Sequence, residues 1–242
     1  MAGRTPQDAR LTIPPAQGQL VIIFCVAKRT ARGKFITFEG LDGCGKSTQL
    51  ERLAAVLRRR KIDVVTTREP GGTEIGERIR AVLLDSRTAG LDAHAEMALM
   101  FASRAQLIEQ VILPALEAGK WVLSDRYTDS TEAYQGAGRR LGSEGVLRVH
   151  QVVCRGLWPD LTILMDTDAG SSVARARRRN KGAGQDENRF EKESHAFFTR
   201  VRNAYLEIAR REPKRVALVN ARPPIEAVHR EILRLLQERL GT

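Results

Sequence analysis

The eight residues Gly40-Leu41-Asp42-Gly43-Cys44-Gly45-Lys46-Ser47, with Thr48 behind them, constrain this chain more than any other segment. They fit the pattern G-x-x-x-x-G-K-[ST], and both flanks have the required character. Lys34 to Glu39 reads as a short strand rich in Phe and Ile, and Ser47 to Arg60 carries Leu50, Leu53, Ala54 and Leu57 at helical spacing. A strand, a glycine loop and a helix in that order wrap a phosphate with inward-pointing N–H groups, and the helix start adds its positive end. Lys46 is then placed to reach the β- and γ-phosphates, and Ser47 to ligate Mg2+. A nucleoside triphosphate site is the expectation; a glycine turn that merely precedes a helix is the plainer alternative, and the context on both sides weighs against it.

The pattern beyond the loop is regular. Ile62 to Thr67, Trp121 to Ser124, Leu161 to Met165 and Val216 to Val219 read as further strands. Helical spacing occupies Ser47 to Arg60, Glu74 to Leu84, Asp92 to Ala118, and the stretches 144–155, 170–179, 189–211 and 224–240. Five short apolar strands alternating with helices imply an α/β fold: a five-stranded parallel sheet covered by helices on both faces. Residues 33–242 form one domain on this reading. Residues 1–32 read as an appended, poorly ordered N-terminal extension whose longest apolar run, Leu20 to Ala27, spans eight residues. That run is far short of a membrane span and is followed by Lys28, Arg29 and Arg32, the wrong polarity for a secretory signal. Three scattered cysteines, Cys25, Cys44 and Cys154, do not make a disulfide framework or a zinc cluster, and a reducing cytoplasm fits them best.

Among phosphate-loop classes, a GTPase needs an N-K-x-D motif after a late strand, and Asn180-Lys181-Gly182-Ala183 lacks the aspartate. Motor and helicase motifs are absent from the 242 residues. The formal charge of +11 favours an anionic partner without choosing one. Two arginines narrow the choice: Arg68 follows the second strand and Arg126 follows the third, where ligands of open α/β sheets bind. Guanidinium groups suit bidentate phosphate recognition, so a kinase acting on a phosphorylated small molecule is expected.

These residues, with the strings FEGLDGCGKST (38–48), TREPGGT (67–73), FASRAQL (101–107), SDRYTDSTEAYQGAGR (124–139), WPDLTILMD (158–166), ARARRRN (174–180) and RFEKESHAFFTRVRNAYLE (189–207), resemble the thymidylate kinase family. The resemblance runs from about Gly33 to the C-terminus. It implies transfer of the ATP γ-phosphate to dTMP with Mg2+ as cofactor. It also implies that Asp42 accepts from the deoxyribose 3′-hydroxyl, that Arg68 and Arg126 hold the dTMP phosphate, and that Asp125 is the carboxylate acting on Mg2+ directly or through water. Phe101 would stack on thymine, Arg104 would bond its O4, Thr131 would address its polar edge, and Tyr134 would crowd the 2′ position against ribose. The bond before Pro70 is often cis in this family.

Arg175, Arg177, Arg178, Arg179 and Lys181 crowd seven residues. Such a run is either a solvated face or, by the resemblance, a mobile lid over ATP at about 175–188. One branch of the family carries a catalytic arginine after its phosphate-loop acid; here Gly43 stands at that position, so Arg177 and Arg179 of the lid are the expected catalytic pair beside Lys46 and Arg126, with Arg189 next in line. The family is dimeric through apolar helices, for which Asp92 to Ala118 and the preceding helix are candidates. Two rivals stay open: another nucleoside monophosphate kinase, and a basic DNA-binding ATPase that leaves the paired arginines unexplained. ATP and dTMP are the expected partners, with neither nucleic acid nor membrane.

Overall fold

The strands of this chain are consecutive apolar stretches of five or six residues, too short and too β-branched to bury themselves as helices. In the computed structural model, which describes residues 32–88, 90–168, 170 and 189–241, they form a parallel sheet. β1 (Phe35–Glu39), β2 (Val64–Arg68), β3 (Trp121–Asp125), β4 (Leu161–Asp166) and β5 (Val216–Asn220) lie in the order β2-β3-β1-β4-β5. The expected fold class holds, and the five expected strands are the five in the sheet, with ends shifted by up to two residues. The expected helix at 170–179 beyond Gly170, the lid at 175–188 and all of the extension except Arg32 lie outside the described residues.

Alternation along β1 divides the sheet into two faces. Ile36 and Phe38 point to one, where Leu50, Leu53, Ala54 and Leu57 of α1 (Lys46–Arg59) meet Val228, Ile232, Leu235 and Leu236 of the final helix. Each buried leucine there contributes about 2–5 kcal/mol against alanine. Phe35, Thr37 and Glu39 point to the other face, which is covered by α3 (Ala93–Leu107), α4 (Leu113–Glu117), α6 (Ser143–Val153) and α7 (His195–Arg211). That face carries a buried polar seam. Thr37 Oγ1 lies 2.8 Å from Thr162 Oγ1, and Arg215 holds both Asp129 (2.7 and 2.8 Å) and Thr162 (2.9 Å). The Arg215 guanidinium lies over the Trp158 ring, which faces His150 with centroids 4.0 Å apart.

Where helices begin, the capping residues are visible. Thr73 accepts from Gly76 N–H at the start of α2 (Glu74–Leu84), Asp92 caps α3, and Ser194 caps α7. The helix expected over 92–118 is interrupted by a π-helical turn, Ile108–Ile112, and the one expected over 189–211 starts only at His195, after a short 3-10 turn at Phe190–Lys192. A segment that sequence spacing did not mark as helical, α5 (Thr128–Thr131) followed by a π-helical stretch at Glu132–Gly138, packs between α6 and α7. The closing helix is α8 (Ile225–Leu240).

Candidate active site

Parallel strands bring their carboxyl ends to one edge of the sheet. Arg68 of β2 is in register there with Asp125 of β3, and Glu39 of β1 stands one residue beyond Phe38, the β1 partner of Asp125. The order of strands reverses around this point, since the chain leaves β1 for β2 across β3, and a crevice opens there. It is a cavity of about 390 Å³.

The phosphate loop forms its floor. Gly40 has φ +130°, and a Cβ there would lie 2.4 Å from the Met165 carbonyl oxygen, so no larger residue fits beside β4. Gly45, with φ +98°, turns the chain into α1. Unlike α2, α3 and α7, α1 begins with no side-chain cap; its first turn holds no acid, and Arg58 and Arg59 occupy its last. Its first amides are therefore open to an external anion. Leu41 and Cys44 are buried behind the loop, and burial pushes the Cys44 thiol up. Asp42, Gly43, Gly45, Lys46, Ser47 and Thr48 line the cavity.

Lys46 Nζ donates to the carbonyls of Gly40 (3.2 Å) and Leu41 (3.0 Å). Ser47 Oγ donates to Asp125 Oδ2 at 2.6 Å, so the two residues expected at Mg2+ are in contact. An alcohol and a carboxylate are hard oxygen donors of the kind Mg2+ takes, and the donor set fits that ion. Among the described residues no cluster of three His, Cys, Asp or Glu side chains could hold a metal, which leaves the remaining coordination to phosphate oxygens and water.

Arg126 stands in the left-handed region at φ +75°. Its Nη2 donates to Asp42 Oδ1 (2.6 Å) and Tyr134 Oη (3.2 Å), and its Nη1 to Gly40 O (3.2 Å), Ser130 Oγ (2.9 Å) and Tyr205 Oη (3.2 Å). Tyr134 also donates to Asp42 Oδ2 at 2.9 Å, and its ring lies under the Arg126 guanidinium. Burial opposes the Asp42 charge, but Arg126 and Lys46 overcome it and hold the carboxyl well below the usual carboxylate range.

The opposite wall is built on Arg104, 1% exposed, whose Nε and Nη2 meet Glu69 Oε2 at 2.8 and 2.6 Å while Nη2 also donates to Thr131 Oγ1 at 2.9 Å. Its Nη1 has no partner among the described residues. Burial pushes the Glu69 carboxyl up, opposed by the Arg104 charge. The Glu69–Pro70 bond is cis. Phe101 is 1% exposed and does not reach the cavity wall; it lies behind Arg104, whose guanidinium stacks on its ring at 4.9 Å. Arg68 lies at the rim, paired with Glu77 at 3.1 Å.

Several cavity residues were not foreseen. Arg80 of α2 lines the site and donates to the Pro70 carbonyl, and Gln135 lines it while donating to Glu96. Behind Arg126, burial and the charge of Asp129 push the Glu39 carboxyl up to about 7. Glu39 ends an apolar strand just as Asp125 does, and that shared position was the available signal. Tyr205 and Glu69 carry no such mark. Arg189 is buried, with Nε on the Leu83 carbonyl and Nη1 on Glu96 at 2.7 Å, so it would have to leave an ion pair to enter the site. Arg177 and Arg179 lie outside the described residues. The described cavity wall carries five cationic side chains (Lys46, Arg68, Arg80, Arg104, Arg126) against three acidic ones, a balance suited to polyanions.

A family model described as thymidylate kinase matches residues 38–232. The thymidylate kinase of Thiobacillus denitrificans is 48% identical over 206 residues, covering 85% of this chain and 97% of that protein. That of Desulfovibrio desulfuricans is 49% identical over 196 residues, covering 80% and 90%. Among solved structures, the thymidylate kinase from Ehrlichia chaffeensis superposes with a TM-score of 0.67 at 32% identity, covering 85% of this chain and 99% of its own. Among the described residues, no helix is long and apolar enough to cross a membrane.

Proposed function

The chain belongs to the thymidylate kinase family, and from that premise we propose how its residues divide the work of moving the γ-phosphate of ATP onto dTMP, giving dTDP and ADP. The observation that carries the division is one shared acceptor: Lys46 Nζ and Arg126 Nη1 both donate to the Gly40 carbonyl, each at 3.2 Å. The cation assigned to the ATP phosphates and the cation assigned to the dTMP phosphate therefore meet at the start of the phosphate loop.

The acceptor oxygen of dTMP is already an anion, so no general base is required. The work is alignment of two polyanions and neutralisation of their charge. The loop amides and Lys46 hold the β- and γ-phosphates. Arg126, with Arg68 at the rim, holds the dTMP phosphate. Ser47 and Asp125 would hold Mg2+, which would supply positive charge to offset that of the triphosphate. Asp42, kept ionised by Arg126, accepts from the 3′-hydroxyl, and Tyr134 crowds the 2′ position. The unpartnered Nη1 of Arg104 suits thymine O4, and Thr131 suits the base's polar edge; Phe101 serves from behind, through the guanidinium on its ring. Arg177 and Arg179 supply charge from the ATP side.

The same reading assigns catalysis to residues 33–242 in a cytoplasmic homodimer. Ile75 and Val82, half-exposed on α2, support a partner on that face, and sedimentation tests it. Lys46→Ala and Arg126→Ala test the division. Lys46→Ala is expected to lose most turnover while folded; Arg126→Ala is expected to damage dTMP affinity far more than ATP affinity in calorimetric titration. Wild-type dTMP affinity and turnover in folded Arg126→Ala would overturn the assignment.

A further inference from the structure

Arg126 is gripped along both edges of its guanidinium, and one grip reaches from Ser130 on the cavity wall to Tyr205 in the core behind it. The Nη2 edge faces Asp42 and Tyr134, which line the cavity. The Nη1 edge faces two hydroxyls, Ser130 Oγ and Tyr205 Oη, 2.7 Å from each other. Both converge on one carboxylate oxygen, Glu39 Oε2, at 2.5 and 3.0 Å, while Glu39 Oε1 accepts the Tyr127 N–H at 2.7 Å. Glu39 and Tyr205 are 0% and 2% exposed, and neither lines the cavity.

The proton inventory explains the arrangement. A hydroxyl has one proton and two lone pairs. Two hydroxyl protons are shared among three contacts, the two to Glu39 Oε2 and the one between the hydroxyls, and in every arrangement each oxygen keeps a lone pair for the Arg126 guanidinium, a donor only. An acid ending β1 thereby aims two acceptors at an arginine following β3, one of them carried by α7 from the far end of the chain. The grip also offsets the backbone cost of holding a non-glycine residue at φ +75°.

We propose that Tyr205 and Glu39 are positioning residues for phosphoryl transfer, fixing the Nη1 edge of Arg126 against the phosphate loop without touching either nucleotide. This rests on the assignment of Arg126 to the dTMP phosphate. Tyr205→Phe is the sharpest test, because it removes one oxygen and leaves the ring packed against Tyr134. Steady-state kinetics of Tyr205→Phe should show the KM for dTMP raised about tenfold, as expected for a lost hydrogen bond to a charged group. The KM for ATP should stay within about twofold of wild type, a split that general loss of packing does not produce. In an Arg126→Lys background the same change should have almost no further effect, since the edge it aims is gone.

Glu39→Gln provides a second variant. It turns one carboxylate oxygen into a donor, so either the Tyr127 N–H or the two hydroxyls lose their acceptor, and the dTMP-selective pattern should recur. A wild-type dTMP KM in folded Tyr205→Phe, with Arg126→Lys impaired, would overturn the proposal and leave the Arg126 assignment standing. Penalties that add in the double variant would overturn it too. Wild-type dTMP kinetics in Arg126→Lys would instead remove the assignment beneath it.

Discussion

Removing either member of the Arg104–Glu69 pair should unfold the protein more easily, but only one of the two losses should depend on pH. The side chains are 2% and 4% exposed, and Arg104 is sandwiched between the rings of Phe101 and Tyr127 at 4.9 and 5.2 Å. Glu69→Gln leaves a guanidinium that cannot shed its proton. Breaking a buried pair in that way costs about 3–5 kcal/mol, and the glutamine carbonyl, able to accept one of the two bonds, sets the lower end, about 3 kcal/mol. Arg104→Met leaves a carboxyl that can escape by taking up a proton. For a group of ordinary pKa 4.5, that uptake costs at most about 2 kcal/mol at pH 6 and about 4.8 kcal/mol at pH 8, at 1.36 kcal/mol per pH unit. The Arg104→Met penalty should therefore climb steeply with pH over that interval, while the Glu69→Gln penalty stays level. Urea denaturation of both variants and wild type at pH 6 and pH 8 measures this directly. At pH 7, Glu69→Gln should lower Tm by roughly 6–12 °C. Equal pH dependence in the two variants would refute the claim that Glu69 alone can neutralise itself.

The lid prediction is kinetic: Arg177→Ala with Arg179→Ala should lower kcat strongly while dTMP affinity changes little, read by single-turnover transfer at saturating nucleotide, and lysines should restore only part. Gly40→Ala should cost about 2–4 kcal/mol and roughly 5–15 °C in Tm, because its Cβ meets a backbone oxygen rather than a movable side chain; calorimetry checks it. His150, its Nδ1 on Thr128 Oγ1, is held by burial and by Arg104 and Arg215 down to about 4. The unfolded chain takes up this proton near pH 6.5 and the native one only near 4, so stability is lost as pH falls through that window. Tm of wild type should drop more steeply than that of His150→Gln between pH 6.5 and 4; parallel curves would count against the assignment.

What was legible before the fold was known had a short-range cause. The strands are continuous apolar runs, and Ser47 and Asp125 were readable because a motif and a strand end each point at the same edge. The π-helical turn at Ile108–Ile112 hid inside an apolar stretch whose spacing a wide turn barely disturbs. The helical stretch Thr128–Gly138 escaped for the opposite reason: its threonines, glycines and buried polar side chains have no apolar period, and it is held by long-range partners such as Arg211 on Glu132. Glu39 is legible as a strand end, yet its role depends on Tyr205, 166 positions away, and no local spacing encodes that contact. Phe101 followed the family pattern to its helix, but its exposure depends on the Arg104 rotamer in front of it.

The two tryptophans of the chain, Trp121 at the start of β3 and Trp158 beneath Arg215, both stand away from the cavity wall. Intrinsic emission therefore reports on the scaffold rather than on the cavity wall. Trp158 faces an imidazole ring at 4.0 Å, and a protonated imidazole quenches indole emission by accepting an electron from the excited ring. Acidification should dim Trp158 before the sheet melts, separating protonation of His150 from unfolding in one cuvette.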